Sequence, residues 1–325
     1  MRPFLRSLLW FALLPLLGAG LLLLRPARDP FMGRQYLQRH CRNGAWLTQR
    51  LADTSAIEIA FLGSSHTMCA VSDALLETLL DEAGGGPQVA NLGLCRLGRT
   101  MTWALTRRLM ARSQPPRWLI VEVRVTEDRF SHPDYPYLAS GADLLGAYPF
   151  WHQRYLEQLG QGLLARFQDA RYALLGLPLP EAPPYVGRHG FVLGGERLYI
   201  SPEQVPNRPL LRRPAEGWEA WTYAESLRFP MHYLERAVQA AQAQGTRVAF
   251  LYLPAMGRPA AQRPLELARY QAWGPVWEPP ADILDPVEHW MDPAHLNEIG
   301  AEALTRWLAG QIRLAEAEEI EEQKR

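Results

Sequence analysis

Two short segments of this 325-residue chain carry residue types whose spacing could perform chemistry. The first, FLGSSHTM, places Gly63, Ser64 and Ser65 directly after an apolar run. A hydroxyl in such a strand-to-helix turn stands at the carboxyl edge of a sheet, and the N–H groups opening the helix suit an oxyanion in front of it. The second, WMDPAHLNEIGAEAL, sets Asp292 three residues before His295, ahead of a helical pattern. A serine hydroxyl needs a base to take its proton, and the imidazole needs a carboxylate to hold its tautomer and stabilise its cation. Ser65, His295 and Asp292 are therefore the candidate catalytic residues. Each segment has a plainer reading: Gly-Ser-Ser is common in turns and caps, and Asp292 could simply cap the final helix.

Positioning these groups falls to the elements around them. IEIAFLG at 57–63 ends in glycine, as a buried parallel strand should, and VSDALLETLLDEA follows with helical spacing. QVANLG at 88–93 precedes the helical TMTWALTRRLMAR, and RWLIVEVR at 117–124 is a third strand. AESLRFPMHYLERAVQAAQAQ is a long amphipathic helix before a fourth strand at 246–254, with Pro230 expected to bend its first part or delay its start. ILD at 283–285 is a candidate fifth strand, and the chain closes on a helix from 296 onward, ending in the charge run AEAEEIEEQKR.

This alternation implies an α/β fold: a three-layer α/β/α arrangement, with a parallel sheet of about five strands and ligands outside the carboxyl ends of the strands. More than a hundred residues rich in Pro, Tyr and Trp separate the third strand from the fourth, too many for one crossover. Residues 131–225 read as an inserted cap on an α/β domain of 30–325. The insertion holds a helix in FWHQRYLEQLGQGLLARFQDARYALLG and a hairpin in FVLGGERLYIS, with Gly194 and Gly195 at its turn.

Thirty-four basic residues balance thirty-four acidic ones, so nothing in the composition suggests the broad basic face that nucleic acid binding needs. Residues 8 to 24 form an uncharged apolar run of 17 between Arg6 and Arg25. At about 1.5 Å per residue this reaches the short end of a bilayer span, so 1–29 is a membrane anchor or a cleaved signal segment, the anchor preferred. Arg25, Arg28, Arg34, Arg39, Arg42 and Arg50 argue for keeping the following chain inside, whereas the short two-arginine tail argues for export, which is preferred. Cys41, Cys69 and Cys95 allow one disulfide at most; buried free cysteine is the expectation, and neither their spacing nor any other calls for a metal or cofactor.

Together the two segments resemble the SGNH (GDSL) hydrolase superfamily, in which a serine follows the first strand and Asp-x-x-His precedes the last helix. The resemblance covers about 55–125 and 245–315 and implies that Asp292 and His295 pair with Ser65. Ser64 stands where that family often has aspartate. Its second block, a glycine whose N–H joins the oxyanion hole, corresponds to NLGLCRLGRT, with Gly93, Arg96 and Gly98 as candidate donors. Its third block, Gly-x-Asn-Asp, is replaced by VEVRVTED with Glu122, Arg124, Thr126 and Glu127; Arg124 or Thr126 would then substitute, unless Arg124 merely pairs with a carboxylate.

An amino-terminal membrane segment, a Gly-Ser-Ser block and a missing third block look like the membrane-anchored DltD/AlgJ branch. That likeness implies an ester hydrolase or O-acyltransferase beside a membrane-bound O-acyltransferase, acting outside the cytoplasmic membrane on a cell-surface polysaccharide. A non-catalytic glycan-binding or scaffold subunit is the alternative. His66 beside the nucleophile could tune the site or be a structural neighbour, His132 and Asp134 in SHPDYP read as a Pro-rich turn, and Trp218, Trp221 and Tyr223 could stack on sugars or belong to the core.

Overall fold

A computed structural model describes residues 2–325 except 26–27, 38–40, 42, 82–83, 148–151, 182–184, 186, 193–199 and 324–325. Five strands, β1 Ile59–Leu62, β2 Val89–Asn91, β3 Trp118–Val123, β4 Arg247–Tyr252 and β5 Val276–Trp277, form one sheet in the order β2-β1-β3-β4-β5. Every pairing is parallel. The topology reverses between β2 and β3 about β1, and open sheets of this kind bind ligands at the carboxyl end of such a switch point.

The central strands lack the alternation of a half-exposed sheet because helices bury both faces. On one face Ala60, Leu62, Leu119, Val121, Phe250 and Tyr252 pack in one apolar cluster with Trp103, Leu105, Leu234 and Val238. On the other, Ile59, Phe61, Ile120 and Leu251 pack with Leu76, Leu304, Leu308 and Ile312.

The helices needed below are α1 Arg2–Leu24, α2 Ser65–Ala70, α3 Asp73–Leu80, α4 Arg99–Met110, α5 Tyr155–Leu174, α6 Gly217–Gln242 and α7 Glu298–Gln323. Among the described residues no helix is long and apolar enough to cross a membrane. Helix α1 contains several positions whose side chains lie outside the description. Its carboxyl end is buried at Leu23, whose carbonyl approaches Gly141 so closely that a Cβ there would sit 1.7 Å away.

The helix expected after β1 is present as α3, its start fixed by Ser72, whose hydroxyl accepts the Leu75 N–H, and a further short helix, α2, precedes it. Two expectations about the elements change. Pro230 neither bends the chain out of α6 nor delays its start: the helix runs through it, with Pro230 and its flanks buried. That packing outweighs the lost N–H. ILD at 283–285 is not a strand; the fifth strand is Val276–Trp277, and Ala281–Leu284 is a short helix.

Within 131–225 lie two short helices, Tyr135–Leu138 and Gly141–Leu145, then α5 and the first residues of α6. The hairpin expected in 191–201 falls largely on 193–199, outside the described residues. Trp218 and Trp221 are not core: they stack at 4.6 Å and stay 73% and 53% exposed. The cysteine expectation is also corrected. Cys41 and Cys95 form a disulfide across 54 residues, and only Cys69 remains a free, buried thiol.

Candidate active site

The turn after β1 is set by an acid on the neighbouring strand. Leu62 pairs with Val121, which brings Glu122 alongside Gly63. A Cβ on Gly63 would lie 2.5 Å from the Glu122 carboxylate and 2.0 Å from Thr67 Oγ1, so only glycine fits. Glu122 accepts the Ser64 N–H at 2.7 Å, the Ser64 hydroxyl at 2.8 Å and the Thr67 hydroxyl at 2.7 Å. Ser64 Oγ in turn accepts the His66 N–H at 3.0 Å, capping α2. The carboxylate that grips the Ser64 hydroxyl thus comes from β3.

Arg124 completes this network. Its Nε donates to Glu122 Oε1 at 2.7 Å, and its terminal nitrogen donates to Ser64 Oγ. Burial opposes ionisation of Glu122, but Arg124 and the donors on Thr67 and Ser64 outweigh it and hold the carboxyl well below its usual range. The ion-pair reading of Arg124 therefore holds, and the same side chain also touches the residue beside Ser65.

Ser65 opens α2, and His295 reaches it from the loop before α7. His295 Nε2 lies 2.8 Å from Ser65 Oγ, and Nδ1 lies 2.8 Å from Asp292 Oδ2. With the proton on Nδ1 facing the carboxylate, Nε2 is the acceptor for the serine hydroxyl. Asp292 Oδ1 also accepts the N–H groups of Ala294 at 2.7 Å and His295 at 3.0 Å, which locks the turn. Burial weighs against the Asp292 charge, yet these donors, His295 first, bring its carboxyl below the ordinary value. The capping alternative for Asp292 fails because Asn297 does that work, its Oδ1 accepting from the N–H groups of Ile299 at 3.0 Å and Gly300 at 3.1 Å.

His66 packs edge-on against His295 at 5.4 Å between centroids, and burial drives its pKa down to about 4, so it is a neutral ring beside the pair. Cys69 is buried too, its thiol pushed up to about 12 by burial and by Asp292, which leaves it inert as a nucleophile.

The expected oxyanion donors are largely redirected. Gly93 donates its N–H to Asn91 Oδ1 at 3.0 Å, and its lack of a Cβ serves close packing on Met68 of α2. Gly98 caps α4 and packs on His132, where a Cβ would come within 2.7 Å. Asn91, rather than lining the site, binds the end of α2 through the carbonyls of Thr67 at 2.9 Å and Val71 at 2.7 Å. Among the described residues no protein group accepts the N–H of Ser65 or of Arg96; Arg96 has φ of 68°, the left-handed backbone that non-glycine residues rarely adopt. The Arg124 guanidinium, bonded to Ser64 Oγ, lies one residue along the chain from the Ser65 hydroxyl.

A cleft of about 320 Å³ is lined by His66, Leu97, Arg124, Thr126, Asp128 and Arg258. A second, of about 330 Å³, shares Pro254, Ala255 and Arg258 with it and extends past Met256, Pro280 and Trp290. No group of His, Cys, Asp and Glu among the described residues could hold a metal ion. His132 is held by the Cys95 carbonyl at 2.7 Å and the Asp134 N–H at 3.0 Å, a structural turn.

Glu122 and Arg258 are the site residues whose roles the sequence leaves dark. A glutamate in the run WLIVEV is the one visible signal, since a charge in a fully buried strand needs partners. Searches against protein-family models, curated proteins and solved structures find no match to this chain.

Proposed function

We propose that the chain is an SGNH-type serine acyl-ester hydrolase or O-acyltransferase. The observation that carries this reading is the linear relay from Asp292 through His295 to Ser65, with both links at 2.8 Å. His295 Nε2 takes the Ser65 proton as Oγ bonds to the ester carbonyl carbon. The carbonyl oxygen becomes an oxyanion, for which the Ser65 N–H at the start of α2 and the Arg124 guanidinium beside Ser64 are the proposed donors. As the C–O bond to the leaving alcohol breaks, His295 returns the proton to that alcohol. Water or a sugar hydroxyl then repeats the steps in reverse, giving hydrolysis or transfer respectively.

The setting we infer is the extracytoplasmic face of a membrane, with a cell-surface polysaccharide or related glycan as substrate and a membrane-bound O-acyltransferase as partner. Two features support the location. Phe4, Trp10, Phe11, Leu16, Leu17, Leu21 and Leu24 on α1 are exposed, as side chains destined for lipid would be. The Cys41–Cys95 disulfide belongs to an oxidising compartment.

One observation favours a second reading, a non-catalytic glycan-binding or scaffold subunit: the Gly93 N–H, a family oxyanion donor, is already taken by Asn91. The two readings separate on incubating the full chain in detergent with a fluorophosphonate probe. Labelling that disappears in Ser65→Ala and falls steeply in His295→Ala supports the hydrolase. A well-folded chain that takes no label supports the scaffold.

A further inference from the structure

Among the described residues Arg258 is a cation without a counter-ion. It is half-buried, lines both clefts where they meet, and donates one terminal N–H to the Pro209 carbonyl at 3.1 Å. Its Nε is buried with no acceptor, and no carboxylate among the described residues pairs with it. A half-buried guanidinium with an orphaned donor is costly to maintain unless something else supplies the acceptor.

Its surroundings add positive charge. Arg208 stands close enough to disfavour the Arg258 charge, a cause second only to burial in lowering its pKa. Arg208 is itself fixed by a bond from Nε to the Met256 carbonyl at 2.9 Å and makes no ion pair among the described residues. The acids near the clefts are mostly spent. Glu127 is held by Arg99 at 2.6 Å, Glu122 by Arg124 at 2.7 Å and Glu278 of the second cleft by Arg263, while Asp128 accepts the Phe130 N–H at 3.0 Å and keeps its charge.

The placement is built into the backbone. Gly257 has φ of 75°, and a Cβ on it would lie 1.8 Å from the Pro206 carbonyl, so the tight turn before Arg258 requires glycine. The Met256 N–H donates to the Pro293 carbonyl at 3.1 Å, which ties this turn to the loop carrying Asp292 and His295. Arg124, which touches Ser64, lines the same cleft as Arg258.

We propose that Arg258, with Arg208 beside it, is an oxyanion subsite in the cleft lined by His66, the residue after Ser65, so that the molecule acted on carries a carboxylate or phosphate within reach of its ester. This deepens the hydrolase reading and rests on it for the identity of the bound molecule as substrate. A guanidinium offers paired N–H groups to either anion, which a neutral sugar cannot match.

The test uses the full chain in detergent carrying Ser65→Ala, so that nothing turns over, titrated by calorimetry with glucuronate, glucose 6-phosphate and glucose. Saturable binding of at least one anionic sugar is expected, with none of glucose and at least a tenfold weakening in Arg258→Ala. The tighter of the two anions names the group. Arg258→Gln, which keeps the stem of the side chain, reads the same loss if Arg258→Ala does not fold. Equal binding of all three sugars, no binding of either anion, or anion binding that survives both substitutions overturns the subsite. The outcome is separable from the fluorophosphonate result. Labelled Ser65 without anion binding leaves the hydrolase standing and removes the subsite, whereas anion binding that needs Arg258 in an unlabelled chain keeps the anion site and removes the hydrolase.

Discussion

Glu122 accepts both the backbone N–H of Ser64, at 2.7 Å, and its hydroxyl, at 2.8 Å, so the third strand grips the turn that presents Ser65. Ser65, the proposed nucleophile, thus follows a residue held by a buried charge outside the Asp292–His295 pair.

That grip should depend on pH. The Glu122 carboxyl is held well below its ordinary value in the folded chain, so its contribution is present above the unfolded value of about 4.3 and is lost as pH falls below it. Glu122→Gln is expected to be less stable at pH 7, by roughly 3 kcal/mol for a broken buried pair. It should then lose less than wild type between pH 5 and pH 3. Denaturant unfolding at each pH measures this; parallel pH curves for the two chains would refute it.

His66 acts in a higher window. Burial lowers its pKa from 6.5 to about 4, so between those values the unfolded chain binds a proton that the folded chain refuses. Stability should therefore fall as pH drops from about 6.5 toward 4. His66→Gln should reduce the difference in melting temperature between pH 7 and pH 5. It should not abolish it, because burial lowers His152 to about 4 as well. An unchanged difference would show that His66 opens to water in the native state.

Asp292→Asn tests the relay. The side chain is 45% exposed, so the fold should tolerate the change, with melting within a few degrees of wild type. Loss of the carboxylate deprives His295 of its orienting acceptor, and ester turnover or probe labelling should fall by up to about 10⁴-fold. A rate within threefold of wild type would exclude Asp292 from the mechanism.

The disulfide should matter to stability. Closing a loop across 54 residues restrains the unfolded chain, and Cys41→Ser with Cys95→Ser is expected to cost roughly 4 kcal/mol by that account. Mass spectrometry of the unreduced chain should show one bridge and one free thiol at Cys69. Three free thiols after export to an oxidising compartment would contradict the pairing.

Some of this protein was determined by residue order alone. Apolar runs ending at Gly63 and Pro254, alternating with helical patterns, specify a parallel α/β sheet, because a strand buried on both faces must be apolar throughout. The positions of Ser65 and of Asp292 three residues before His295 follow from the same pattern, since a turn at a strand's carboxyl end and a turn before a helix are local features. Only the tertiary structure decided what is non-local. Glu122 meets Ser64 across 58 residues through strand register, and Gly93 turns out to serve packing on α2 because Asn91 claims its N–H. Cys41 finds Cys95 across 54 residues, and among the described residues no acid pairs with Arg258. Contacts of this kind depend on which surfaces the sheet brings together, and no spacing along the chain encodes them.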